Sequence, residues 1–268
     1  PMTGMTEGLG LFAVLYKAGI STELFPLLIF IGVGAMIDFS PLLAQPRMVL
    51  LGAAGQFGIF GTLILATLLG FPLNQAASIG VIGAIDGPTS IFVASKLAPE
   101  ILAPIAVAAY SYMSLIPIIQ PPIMRLMTTK EERRIRMEYA PRPVSKRALI
   151  IFPIAITLVA GLLVPDATPL ISMLMLGNLL RESGVVDRLR KAAENEIINV
   201  STLFLGLVVG STMTAASFLN WETLSIMVLG LLAFVLDTVA GLLFGKLMSV
   251  MSGRKINPLI GAAGISAF

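Results

Sequence analysis

The sequence predicts an all-α polytopic membrane protein, a helix bundle with two broken segments, discontinuous or re-entrant, in an inverted-repeat, transporter-like architecture. Three observations carry that expectation. The 268 residues are 56% hydrophobic and 12% charged, with a mean hydropathy of +0.93, whereas soluble domains run at about 45–50% apolar and 25% charged. An apolar run of membrane-span character, Ala77 to Ala94, carries a carboxylate, Asp86, at its middle. A second apolar run, Asn257 to Ser266, is interrupted by proline and glycine and brings in neutral polar side chains.

Asp86 is the anomaly that organises the reading. An ionised carboxylate near a bilayer centre costs roughly 2.5–3.5 kcal/mol, so it belongs where it faces a protein interior and has a partner. Pro88 removes a backbone N–H and clashes with the carbonyl of Ala84, while Gly83 and Gly87 let the chain leave helical geometry cheaply. A broken membrane helix follows, and polar backbone freed at membrane depth is tolerated where it lines a cavity. The bland alternative makes Asp86 part of a surface turn between two short helices. Ile79, Val81, Ile82 and Ile85 before the break, and Ile91, Phe92 and Val93 after it, oppose that alternative.

At roughly 20 residues per span, the length holds about seven to ten crossings or half-crossings, enough for a bundle with an interior. The absence of Cys and His excludes thiolate and imidazole metal sites and Ser-His or Cys-His catalysis. Any metal must be a hard cation on oxygen ligands. The sequence starts without Met and stops at Phe268 inside an apolar, Gly-rich stretch, which leads us to expect a fragment with no signal peptide to interpret.

In order, Gly8 to Ile20 reads as a helix tail or interfacial segment, and Glu23 to Leu43 as a span with small residues at Gly32 and Gly34 and with Asp38 near its end. The next span begins at Arg47, runs to about Phe71 and contains Gln56 and four glycines from Gly52 to Gly61. After the Asp86 break, Ile101 to Met127 brings Tyr110, Tyr112 and Ser114 into a span that Pro117, Pro121 and Pro122 interrupt. Residues 128–147 form the one long hydrophilic loop, with seven Lys/Arg against three Glu. That excess places the loop in the cytoplasm. Ala148 to Val164 spans, Pro165 to Pro169 turns, and the short apolar piece Leu170 to Leu180 leads into the charged Arg181 to Glu196. Ile198 to Leu219 and Thr223 to Val250 span again, the second with Asp237 and Thr238 near its middle.

Counting outward from the loop, the basic clusters Arg181–Lys191 and Arg254–Lys255 also fall inside. Arg47 does so only if 74–98 enters and leaves on one side, which the charge rule mildly favours. An internal echo adds to this. Pro26 to Asp38 and Pro169 to Glu182 share a Pro-Leu start, a Gly-containing middle and an acidic end, and each is followed by spans and then a broken segment. The layout expected is a first membrane repeat over 1–127, a basic cytoplasmic loop over 128–147 and a second repeat over 148–268. Corresponding broken segments point to a midplane site between inverted repeats. There Asp86, with the neutral oxygens of Asn257 and Ser266 and freed carbonyls, suits an alkali cation or a proton.

GAIDGPTSIF at 83–92, NPLIGAAGIS at 257–266 and IDFSPLLAQPR at 37–47 resemble the β subunit of the biotin-dependent, sodium-pumping decarboxylases, of which bacterial oxaloacetate decarboxylase is the best-known type. The resemblance covers the whole chain. It implies that carboxybiotin, carried by a carboxyltransferase and biotin-carrier α subunit, is decarboxylated at this subunit with proton uptake and sodium export. It also implies a small membrane γ subunit, an oligomeric complex in the bacterial inner membrane and no nucleic acid. The family's sodium and proton-handling aspartate falls on Asp86, its functional tyrosine on Tyr112, and its Asn, Gly and Ser positions on Asn257, Gly261 and Ser266. The Tyr112 hydroxyl is then expected beside Asp86. Family chains extend past the equivalent of Phe268 and carry there an arginine tied to carboxybiotin handling, so residues that bind the cofactor are not identified. Residues 37–57 also resemble the bile-acid/sodium symporter group, which makes a sodium-coupled secondary transporter the alternative. A plain membrane anchor would leave Asp86 unexplained.

Overall fold

A computed structural model describes residues 10–46, 49–137, 144–213, 219–253 and 256–264. Arg47, Arg254, Lys255 and Ser266 lie outside the described residues, as do the expectations that rest on them. Thirteen helices are labelled here among the described residues. The first four are α1 (Leu11–Leu15, continued by a π turn Tyr16–Ile20), α2 (Leu24–Met36), α3 (Ser40–Ala44) and α4 (Val49–Leu68). Next come α5 (Leu73–Gly80), α6 (Gly87–Leu97), α7 (Leu102–Met127) and α8 (Lys130–Arg133). The remainder are α9 (Lys146–Leu163), α10 (Thr168–Ser183), α11 (Asp187–Ala192, continued by a π turn Ala193–Ile197), α12 (Ile198–Ser211) and α13 (Trp221–Met251).

Among the described residues, five helical stretches are long and apolar enough to cross a membrane: Val49–Leu68, Pro99–Met127, Lys146–Leu163, Asp187–Ser211 and Trp221–Met251. A sixth forms if Leu11–Ile20 and Leu24–Met36, bent by 59°, count as one broken span. The chain is a multi-pass membrane protein. The sequence count of seven to ten included half-crossings, and two differences from it have physical causes. The three prolines expected to interrupt the span after Ile101 lie inside a continuous α7, because neighbouring groups in a bundle satisfy the backbone that proline frees. The charged segment after Leu180 is largely helical, held by Arg190 on Asp187 and Glu194 (2.9 and 2.6 Å) and by Lys191 on Asp187 (3.0 Å).

The helices cluster into two compact units, each drawing from both parts of the chain. The first takes Pro1–Gln45 and Pro141–Thr212. Its centre is the contact of α2 with α10, the two copies of the echo, whose C-terminal ends lie together. A Cβ on Gly34 would run into the Leu174 carbonyl, and one on Gly177 into the Ile31 carbonyl. Counted from Pro26 and Pro169, Gly34 matches Gly177 and Ile31 matches Leu174, so the contacts are reciprocal. At the end of α2, Asn178 Nδ2 donates to the Ile37 carbonyl (2.9 Å) and Arg181 to that of Met36 (3.0 Å), with Asp38 3.9 Å from Arg181. These donors satisfy carbonyls that a helix end leaves open. Replacing Gly34 by Val should lower stability by about 1–3 kcal/mol through overpacking. Gly52→Ala, with nothing within 4 Å of its Cβ, should not. Thermal unfolding in detergent compares the two.

The second unit takes Pro46–Ala140 and Met213–Phe268. In it α4 packs on α13, and a short 3₁₀ segment lies beside each: Val81–Ala84 against α4, where Gly83 meets Gly58 and Ile59, and Pro258–Gly264 against α13, where Gly261 meets Gly241. Both segments contain Ile-Gly-Ala, at 82–84 and 260–262.

Candidate functional site

Helix α5 ends at Gly80, the 3₁₀ turn Val81–Ala84 follows, Ile85 takes a left-handed backbone (φ 55°), and α6 starts at Gly87. The expected break is therefore present at Asp86. Its chemistry differs in one respect from the sequence argument: Pro88 does not kink a helix but occupies the first turn of a new one, with Asp86 as its N-cap. Asp86 is 5% exposed. Its Oδ1 accepts the Thr89 N–H (3.4 Å), as N-cap carboxylates do, and its Oδ2 accepts the Thr89 hydroxyl (2.6 Å).

The break strands backbone oxygens. In an unbroken helix the carbonyls of Gly83, Ala84 and Ile85 would receive N–H groups from Gly87, Pro88 and Thr89. Here the Gly87 N–H points to the Met113 sulfur (3.2 Å), Pro88 has none and the Thr89 N–H bonds Asp86. A buried carboxylate thus stands beside carbonyls deprived of their helical donors. The Ser90 hydroxyl, fully buried, closes the other flank by donating to the Asp86 carbonyl (2.8 Å), with the Val81 carbonyl at 3.5 Å.

Ile85 is held by packing. A β-branched residue in the left-handed region costs about 1–2 kcal/mol, and its fully buried side chain packs with Phe234, Met113, Ile116 and Ile119. Ile85→Ala should cost about 2–5 kcal/mol by emptying that space. Ile85→Gly empties it too but removes the strain, so it should be the milder variant by about 1–2 kcal/mol. Unfolding in mixed micelles ranks the pair.

The structure distributes the other site residues as follows. Tyr112 is buried and its hydroxyl donates to the Met227 carbonyl of α13, with its ring against Gly230. The tyrosine that lies over the break is Tyr110, whose ring covers Gly87 so closely that a Cβ there would meet it at 2.7 Å. Asn257 donates to the carbonyls of Arg133 (3.3 Å) and Ile135 (2.9 Å), and its Oδ1 accepts the Leu259 N–H (3.0 Å). Among the described hydrogen bonds none joins Asp86 to Asn257. Gly261 is buried against Gly241. Helix α7 serves both breaks, through Met113 at the first and through Gln120 Nε2, which donates to the Ala262 carbonyl (3.1 Å), at the second.

Sequence reasoning gave Tyr110, Thr89 and Gln120 no role. Thr89 was legible as the third residue after an N-cap aspartate; Tyr110 was not, since residues two apart on a helix face different ways and nothing in the sequence says which way is inward.

The family described as Na+-transporting oxaloacetate decarboxylase beta subunit matches residues 1–268. The chain belongs to this family. Among relatives of the Na+-transporting decarboxylase β family, the methylmalonyl-CoA decarboxylase subunit beta of Veillonella parvula is 56% identical over 267 residues, 100% of this chain and 70% of the relative. The oxaloacetate decarboxylase beta chain of Klebsiella pneumoniae is 56% identical over 264 residues, 96% of this chain and 61% of the relative. The glutaconyl-CoA decarboxylase subunit beta of Acidaminococcus fermentans is 53% identical over 267 residues, 100% of this chain and 71% of the relative. The chain thus spans 61% to 71% of the length of these three relatives. Their names differ in the acyl substrate at nearly equal similarity to the chain.

Proposed function

We propose that this chain is the membrane part of a sodium pump in which decarboxylation of carboxybiotin is coupled to sodium export and proton uptake. The observation that carries the reading is Asp86, a buried carboxylate at a helix break beside carbonyls without helical donors, in a chain of this family. Three relatives named for three acyl substrates at 53–56% identity support a common substrate at this subunit, and the acyl donor is then chosen elsewhere, on a carboxyltransferase and biotin-carrier α subunit. A small membrane γ subunit, an oligomeric assembly and the bacterial inner membrane complete the proposal, with the basic segment 128–147 facing the cytoplasm and the α subunit.

Carboxybiotin supplies a decarboxylation that consumes one proton. The chain's own part is to deliver that proton in exchange for an ion. Asp86 binds either sodium or a proton, because a buried carboxylate left ionised without a cation is too costly and the two occupants exclude each other. In the proposed sodium form, the ion takes an Asp86 oxygen and freed carbonyls of the first break; Asn257, Gly261 and Ser266 are proposed to serve the same ion path at a later step, since Gly261 meets α13 at Gly241, two turns beyond the Ala233 that Gly83 meets. A single charge in the ligand set keeps the ion releasable. Tyr112 positions the site by tying α7 to α13 next to Ile82. The reciprocal contacts of α2 with α10, and the paired Ile-Gly-Ala turns, support two related repeats, which the proposal takes as inverted over 1–127 and 148–268.

The test is sodium uptake into proteoliposomes holding the full complex. Uptake driven by the acyl substrate and stopped by avidin supports the pump. Uptake that ignores avidin and follows an organic solute instead would indicate a secondary transporter.

A further inference from the structure

A second carboxylate lies deep in the same unit, outside the set assigned to Asp86. Asp237 stands near the middle of α13 and is 2% exposed. It sits against α4, where a Cβ on Gly58 would come within 2.5 Å of the Asp237 Cβ. Its Oδ1 has no hydrogen-bond partner. The same holds for the hydroxyl of Thr238, its neighbour in sequence, and for that of Thr62, one turn beyond Gly58 on the same face of α4; both residues are fully buried.

Those orphan hydroxyls are exceptional among the described threonines. A threonine in an apolar helix ordinarily bonds back to a carbonyl one turn earlier, and Thr67, Thr128 and Thr157 do so with Leu63, Met124 and Pro153 (2.8, 2.5 and 2.8 Å). Thr62 and Thr238 do not. Buried polar groups without partners are rare and mark strain or a bound species. No described ion pair reaches Asp237, and Lys246, the basic residue farther along α13, is held by Glu132 at 3.3 Å. The place is also connected: Gly83 of the first break touches Gly58 and Ala233, and Gly241, one turn after Asp237, touches Gly261 of the second.

We propose that Asp237, with the hydroxyls of Thr62 and Thr238, forms a second site for a sodium ion, separate from Asp86 and reached from the same broken segments. One carboxylate with neutral oxygens matches a hard monovalent cation. No group of three or more acidic ligands suited to a divalent ion occurs among the described residues. The inference takes sodium as cargo from the function proposed above, but it stands on different residues.

The experiment treats the full chain, in membrane vesicles, with dicyclohexylcarbodiimide, which modifies buried protonated carboxyl groups, over a range of sodium chloride or choline chloride concentrations. Mass spectrometry reads the Asp86 and Asp237 peptides separately. Sodium, and not choline, should protect Asp237, and Thr62→Val should raise the half-protecting sodium concentration at Asp237 by about tenfold while leaving the Asp86 curve unmoved. Asp237 labelling that is equal with and without sodium, or absent throughout, overturns the second site, as does a Thr62→Val curve that coincides with the parent. Protection of Asp237 without protection of Asp86 would instead overturn the function assigned to Asp86.

Discussion

Asp86→Asn is expected to lower sodium-dependent decarboxylation and sodium uptake by about 100-fold or more, the order lost when a proton-handling group is removed. The substitution is informative because the fold should survive it. Asparagine is as good an N-cap as aspartate, and its amide oxygen can still accept the Thr89 N–H that now reaches Asp86 Oδ1 at 3.4 Å. What disappears is the charge, and with it the ability to hold a cation and a proton in alternation. Asp86→Glu should fall between parent and Asn, since it restores the charge but displaces it by a methylene from Thr89. The readout is uptake of radioactive sodium into proteoliposomes of the intact complex, with helicity checked by circular dichroism. Full coupled transport in Asp86→Asn would remove Asp86 from the ion path.

The break itself was legible because its parts act locally. Glycines at 83 and 87, a proline at 88 and an aspartate between them dictate where a helix can no longer continue, and no neighbour is needed to say so. Composition fixed the membrane class for the same reason. The parts that the sequence hid depend on neighbours. Pro88 has two possible roles, kinking one helix or opening another, and the choice turns on whether Asp86 caps; the Thr89 bonds decide for capping. Prolines 117, 121 and 122 look like interruptions until a bundle surrounds them.

The choice between two tyrosines was hidden more deeply. Tyr110 and Tyr112 have equal standing in the sequence, yet the first lies over Gly87 and the second bonds Met227. Only the rotation of α7 about its axis separates them, and that rotation is set by packing against Ile85 and Phe234. Asp237 shows the opposite case. A carboxylate in mid-span was visible from the start, and what the sequence lacked was the isolation of its oxygen and of the two hydroxyls, a property of packing alone.

Gly87→Ala carries the second large effect. A Cβ at position 87 would stand 2.7 Å from Cζ and 2.8 Å from Cε1 of Tyr110, closer than such atoms approach, so either the ring leaves the mouth of the break or the start of α6 shifts. Overpacking of this kind costs about 1–3 kcal/mol. The functional loss should exceed what stability alone explains, because the atoms forced to move are those that position Asp86 and the Gly87 N–H on the Met113 sulfur. A drop in turnover of about tenfold or more is expected, the order seen when a site is displaced by a fraction of an ångström. Tyr110→Leu in the same chain removes the colliding ring atoms and should recover much of the loss, a coupling of about 0.5–3 kcal/mol in a double-mutant cycle. Tyr110→Phe keeps those atoms and should recover none of it, which separates ring volume from hydroxyl chemistry. Parent-like sodium-dependent turnover in Gly87→Ala would show that the Tyr110 ring yields freely, and that the close fit over Gly87 does not hold the break in place.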